Sequence, residues 1–491
     1  MTLWHKQLTI ILIKLGSIIL GLILLGLFVY YNYYFKKDNL LKYIPKEAYF
    51  YSTLKLNSRI EENPVLKRII ANLATEWNLE TIDWEIFNPY VGNNFALALI
   101  PAKDKNFSTP DILLVFDLSK KKNGLEKYLQ ILKDKNLAYQ FLINERTKKE
   151  ILIASNSEKL LNNIRKIALD RGLSLGQKVN VILNLKDFSP NKFLGKIYLN
   201  LQYFSDNLDK ISDPRIKILL GKMAMENLDD LYLGVKNENT QIILQNFINQ
   251  YNNDNNQVNI KLPQTTKYYF KFNINKNEIF QFLDVLKKTE PEYFNKISSN
   301  INYWQKQYNF NLEADILPLM QNQVQLIGDT SNNFLVSSNI EPKNIDERIN
   351  KIRGTILNYF NVSFPREIPK QLPDASSITQ IIKNNYVFNE EKIDNITLYY
   401  LKNDGMELAY TIWENELILA NSKNFLKMYI SQDNLIPINE ISACFGNNSF
   451  NFSQNLLINE RAISELLGNY QFAKYLSIKS DNNDKFWLCV E

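Results

Sequence analysis

The sequence predicts an α+β protein, with one N-terminal transmembrane helix followed by two similar antiparallel-sheet-plus-helix domains. Three observations predict it. Near the start, Leu15 to Tyr31 is a run of seventeen residues without a charge. Beyond residue 43, segments rich in aromatic and β-branched residues alternate with three- and four-residue apolar periodicities. The order of those segments occurs twice.

The apolar run comes first. At 1.5 Å per residue, Leu8 to Tyr31 is long enough for a hydrocarbon core of roughly 30 Å. Leu15, Ile18, Leu22 and Leu25 form its body, and Tyr30 and Tyr31, followed by Tyr33 and Tyr34, form an interfacial belt at its end. Lys14 lies close enough to the other end to extend its ammonium to the head groups. No Ala-x-Ala cleavage pattern follows, which favours an uncleaved anchor over a secretory signal. Residues 1–35 are therefore expected to be the anchor with its flank, and 36–43 a short stalk. A bare lysine count would keep the rest cytoplasmic, since Lys36, Lys37, Lys42 and Lys46 follow the run.

The first copy is expected over 44–250. It opens on a strand from Ile44 to Leu56, followed by a helix in which Leu66, Ile69, Ile70, Leu73 and Trp77 recur. The second is expected over 266–491. It opens on Lys267 to Ile274, followed by a helix carrying Ile279, Phe282, Leu283 and Leu286. Each continues with a proline, a polar turn and a strand, at Pro89 to Leu97 and at Pro318 to Leu326. Further strands follow at Ile112 to Leu118 and Phe334 to Ile340. The nearest correspondence is Ile151-Leu-Ile-Ala-Ser-Asn-Ser157 with Leu417-Ile-Leu-Ala-Asn-Ser422, a strand ending on an Asn-Ser helix cap. Closing hairpins are expected at Leu231 to Phe247 and Tyr475 to Val490. The polar stretch 251–265 reads as the linker. Strands joined by short turns run antiparallel, and the connecting helices are expected to collect on one face.

Composition narrows the function classes. Net charge is +5 over 491 residues, with no basic block to line a nucleic-acid groove. His5, the one histidine, precedes the apolar run. Histidine-based triads, dyads and zinc sites are thus excluded from the rest of the chain. Cys444 and Cys489 are the two cysteines, and either one bridge or two buried thiols fits them. Gly172 to Lys178 imitates a phosphate loop, but Val179 stands where the magnesium-holding Ser or Thr belongs. A turn between helix and strand is expected there. Asp329-Thr-Ser331 imitates an aspartic-protease triplet without a partner, and Asp481 to Asp484 lacks the glycine and terminal glutamate of a calcium loop. No catalytic, cofactor or metal residue is assigned, and no cofactor is expected.

Pro45 and Ala48 precede the first strand. Pro89 and Gly92 precede a later one containing Ala96 and Ala98. With the anchor, this pattern resembles a bacterial, largely cyanobacterial, family of membrane-anchored proteins known only as a domain of unknown function. The second copy departs from it at Gln321. The resemblance implies a part facing the periplasm or a lumen, and no activity. The function expected is a non-enzymatic, membrane-tethered, extracytoplasmic scaffold or binding protein. A lipid- or apolar-molecule-binding protein and a carboxylate-based hydrolase are the alternatives. The expected partners are membrane lipid through the N-terminal helix and a protein or apolar ligand, with no nucleic acid.

Overall fold

A computed structural model describes residues 40–54, most of 91–245 and most of 260–491. These residues are 42% strand. They fall into two compact units, the first drawn from the described residues of 40–54, 91–200 and 230–234, the second from those of 201–229 and 235–491.

In chain order the first unit contains β1 (Phe50–Leu54), β2 (Val91–Ile100), β3 (Asp111–Leu118), helix α1 (Glu126–Asp134), β4 (Ala138–Ile143), β5 (Glu150–Ser155), α2 (Glu158–Leu169), α3 (Val179–Asp187), β6 (Gly195–Asn200) and the start of β7 (Asp230–Glu238). Its antiparallel ladder runs β6-β1-β2-β3-β5-β4. Both faces of that sheet are covered. Leu114, Phe116 and Leu152 pack with Leu125, Leu129 and Leu132 around α1. From the opposite face of β4, Gln140 donates Nε2 to the Leu161 carbonyl of α2 at 2.7 Å. Burial on two faces explains the unbroken apolar run of Ile151 to Ala154, all four buried.

The second unit begins with the short helix α4 (Leu201–Ser205), β8 (Gln241–Gln245), β9 (Lys261–Pro263) and β10 (Thr266–Ile274). Next come α5 (Lys276–Thr289), α6 (Pro291–Tyr308), β11 (Asn322–Asp329), β12 (Phe334–Asn339) and α7 (Ile345–Ser363). A hairpin, β13 (Arg366–Gln371) and β14 (Ser377–Ile382), precedes β15 (Asn389–Ile393), β16 (Ile396–Lys402), β17 (Glu407–Trp413), β18 (Glu416–Ala420) and α8 (Lys423–Ser431). The chain closes with β19 (Leu435–Pro437), α9 (Ile438–Ile441), β20 (Gln454–Asn459), α10 (Glu460–Leu467), β21 (Tyr475–Ser480) and β22 (Phe486–Val490). The ladder here is β8-β22-β21-β20-β10-β11-β12-β18-β17-β16-β15. Ile418 and Ala420 point to a cluster containing Phe425, Leu426 and Ile430 of α8. Leu417 and Leu419 point the other way, to Ile349 and Phe360 of α7.

Two expectations are corrected. Among the described residues the fold is not the expected pair of antiparallel-sheet-plus-helix domains with their helices gathered on one face. It is dominated by extended antiparallel sheet, with helices on both faces, and the second ladder runs on past β17 and β20 on either side. Nor is a single-pass membrane location supported, because no helix among the described residues is long and apolar enough to cross a membrane. The longest helices, α7 and α6, carry charges such as Asp346, Glu347, Lys351, Glu292 and Lys306 along their length. Leu15, Ile18, Leu22, Leu25, Tyr30 and Tyr31 lie outside the described residues, as does the helix expected around Leu66 to Trp77.

The Asn-Ser signature has two separate jobs. Ser157 accepts from the Leu160 amide and Ser422 from the Phe425 amide, each capping the helix that follows. The asparagines instead clamp the start of a neighbouring strand. Asn156 accepts from the Ile112 amide at 2.8 Å and donates to the Pro110 carbonyl at 3.1 Å. Asn421 accepts from the Phe334 amide at 2.7 Å and donates to the Asn332 carbonyl at 3.0 Å. Asn421→Ala is expected to cost about 1 kcal/mol, because it strips two exposed backbone groups of a partner. Chemical denaturation of the variant measures this, and faster amide exchange at Phe334 is the local sign.

Candidate functional site

The sheet face under α8 should be uniformly apolar, and it is not. Strand register sets Lys271 of β10 opposite Gln325 of β11, and Gln325 opposite Ser337 of β12. In the other direction Lys271 faces Asn455, then Lys479, Trp487 and Gln245 on successive strands. Opposed residues share a face, so a polar row crosses the sheet among the apolar side chains of that cluster. Gln245, Asn455, Lys479 and Ser337 are all buried.

Near the middle of the row the polar groups gather. Tyr269 lies two residues before Lys271, on the same face. Glu416 lies two residues before Ile418, the partner of Ser337. Helix α8, started by its Ser422 cap, brings Tyr429 over them. Tyr269 is fully buried, yet its hydroxyl has no hydrogen-bond partner, and neither does the buried Oγ of Ser337. Glu416 and Lys271 are half-buried. Burial raises the Glu416 carboxyl above its ordinary value, opposed by the Ser337 hydroxyl and Lys271. That hydroxyl favours the carboxylate without making a closed hydrogen bond to it. Burial likewise lowers the Lys271 ammonium, with Glu416 acting against it. Tyr429 is pushed up to about 12 by burial and by the Glu416 charge. Tyr269 is driven up as well, by burial first and then by Tyr429 and Glu416. The cluster therefore sets one carboxyl and one amine beside hydroxyls left unsatisfied. Such groups can donate and accept hydrogen bonds to a bound molecule.

The same row ends in a clasp at the C-terminus. Cys444 and Cys489 form a disulfide, their Cα atoms 5.8 Å apart, which settles the choice left open by the sequence. Lys479 is buried beside it. Its Nζ donates to the Cys444 carbonyl at 3.2 Å and stands 4.1 Å from the Phe445 ring centre and 4.4 Å from that of Trp487. Burial pushes the ammonium down to about 7. The Glu491 carboxylate accepts from Ser442 Oγ and from the Ala443 amide, tying the last residue to the turn that carries Cys444.

The motifs weighed in the sequence have structural employment. Asp329 accepts from the Ser331 and Asn333 amides and from Asn333 Nδ2, so it shapes the turn between β11 and β12. Gly172 to Lys178 forms two short 3-10 turns leading into α3, a helix where a strand was expected. Pro45 bridges to Ser174, and Ala48, Ala96 and Ala98 are buried. Lys261–Pro263, inside the expected linker, is β9. Asp481 to Asp484 and His5 lie outside the described residues. Among the described residues no group of three or more His, Cys, Asp or Glu is placed to hold a metal ion. Sequence reasoning passed over Tyr269, Lys271, Ser337, Glu416 and Lys479. The available signal was a lysine in phase with the inward residues of an apolar strand, at Lys271 and again at Lys479.

No family model matches the chain, and no solved structure matches it. One similar protein is the uncharacterized protein RP489 of Rickettsia prowazekii (strain Madrid E), 29% identical over 136 residues. That match takes in 26% of this chain and 44% of the relative's length.

Proposed function

We propose that this is a binding protein or scaffold rather than a catalyst, and that its second unit holds a small molecule against Tyr269, Ser337 and Glu416. The ligand class is a compact amphiphile, with an apolar body for the core side chains and a hydrogen-bonding head for the hydroxyls. The observation that carries this reading is the pair of buried hydroxyls without partners, since leaving such a group unsatisfied costs about 1–3 kcal/mol. A ligand that completes both would offset that cost. The scarcity of reactive groups supports binding over catalysis: His5 is the one histidine and both cysteines are in a disulfide. We further read the chain as an internal repeat. The order β6-β1-β2-β3-β5-β4 has its counterpart in β20-β10-β11-β12-β18-β17, and Asn156-Ser157 in Asn421-Ser422.

Tyr269→Phe gives opposite answers with and without a ligand. In the protein as purified gently from its own cells, the variant is expected to unfold at lower temperature, because it loses a ligand contact. In protein refolded from denaturant, and so stripped of small molecules, it is expected to be more stable than wild type by about 1 kcal/mol, because an unsatisfied hydroxyl is gone. Stabilisation of equal size in both preparations would reject a ligand at this site.

A further inference from the structure

The hairpin β13–β14 stands apart from the ladder of the second unit. Its two strands pair with each other and, among the described residues, with no other strand. All their residues except Ile368 are exposed. A two-stranded ribbon with both faces wet is marginal in water, which makes its edges the point of interest.

Those edges are unlike. The Leu372 amide donates to the Ser376 carbonyl at 2.7 Å, which fixes the alternation of the ladder. Arg366↔Ile382, Ile368↔Gln380 and Lys370↔Ile378 are therefore the mutually hydrogen-bonded pairs, while Glu367↔Ile381, Pro369↔Thr379 and Gln371↔Ser377 turn their backbone groups outward. On β13 the outward edge is blunted. Pro369 has no amide to offer, and Arg366, Glu367 and Lys370 are charged. On β14 the outward groups of Ser377, Thr379 and Ile381 are intact, and no charge stands between Ser377 and Ile382.

We propose that β14 pairs antiparallel with β14 of a second copy of this chain, making a four-stranded sheet across a two-fold axis at Thr379. The register is self-complementary. Thr379 faces Thr379, each Ser377 faces Ile381, and each Ile378 faces Gln380. Only residues whose backbone groups already point outward become hydrogen-bonded pairs. The charge pattern selects this partner. An uncharged edge meets itself with no like charges opposed, and Thr–Thr is a favourable cross-strand pair. On one side of the joined sheet Ile368, Ile378 and Ile382 of both copies alternate with Arg366, Lys370 and Gln380, an arrangement the two-fold axis repeats.

Sedimentation of the full chain over a concentration series tests this. Wild type is expected to show a monomer–dimer equilibrium. Thr379→Lys and Thr379→Glu each place like charges on the axis, and each alone is expected to dimerise roughly fivefold more weakly or worse. Both substitutions lie on an exposed edge, so folding is retained, and circular dichroism checks it. Mixed in equal amounts, the two variants are expected to regain the dimer, because lysine then faces glutamate. A wild type that stays monomeric throughout would overturn the proposal, as would a mixture that fails to recover association. Thr379→Cys is expected to give a disulfide-linked dimer on mild oxidation, since a hydrogen-bonded pair sets Cα atoms about 5.5 Å apart. Glu367→Cys, on the blunted edge, is expected to give none, and equal cross-linking at both would contradict the assigned register.

Discussion

Replacing Cys444 and Cys489 together by alanine is expected to destabilise the second unit by about 4 kcal/mol. The disulfide closes a loop spanning 45 positions. Loop-closure entropy for that length sets the figure, and native-state adjustment lowers it in practice. Alanine is the informative replacement, because serine would add buried hydroxyls at two sites that exclude water. The effect should be regional. Cys489 sits on β22, between β21 and β8, so loosening it removes support from three strands. The turn at Ala443–Phe445 would lose its covalent tie and keep its hydrogen bonds to Glu491 and Lys479. Amide exchange with and without a reductant measures this. Faster exchange confined to β20–β22 and β8 is expected, whereas unchanged protection under reduction would contradict the clasp.

Stability is expected to rise with pH between about 7 and 10.5, and Lys479→Met to abolish that rise. Below about pH 7 both folded and unfolded chains carry the ammonium, and the folded state bears the whole cost of burying it. Above that, the folded state releases the proton while the unfolded chain keeps it up to its ordinary value of 10.5. Where the unfolded state binds more protons, stability increases with pH. The full window is worth on the order of 5 kcal/mol. Two aromatic faces and the Cys444 carbonyl favour the charged form. Burial outweighs them because the Lys479 side chain is nearly sealed from water. Methionine keeps the length of the stem and drops the charge. Its advantage over wild type is expected to be largest below about pH 7 and to shrink as pH rises toward 10. Parallel denaturation curves for the two proteins at every pH would show that Lys479 does not titrate in this window.

The local elements were legible where side-chain chemistry fixes them within a few residues. Lys267 to Ile274 reads as a strand from its aromatics, and β10 is Thr266–Ile274. Serines 157 and 422 read as caps from the apolar periodicity behind them, and both accept the expected amide. Long-range partners were not legible. Asn156 and Asn421 look like second cap residues in sequence, while their actual partners stand 44 and 87 positions away. Helices on both faces of the sheet were also missed. Leu417 and Leu419 are as apolar as Ile418 and Ala420, so the strand itself carries no sign of which side is covered by which helix. The candidate site was illegible for the same reason. Tyr269, Ser337 and Glu416 lie 68 and 79 positions apart along the chain and meet only through strand register. Residues between Leu8 and Tyr31 were read from hydropathy alone, and no helix of spanning length and apolarity occurs among the described residues.

Native mass spectrometry of the full chain, purified gently from its own cells, tests the proposed binding role most directly. The expected result is a stoichiometric mass excess over the 57.5 kDa polypeptide, reduced by Tyr269→Phe and by Glu416→Gln and unaffected by Thr379→Lys. A bare polypeptide mass in the wild-type protein, recovered folded and with its disulfide intact, would contradict the account.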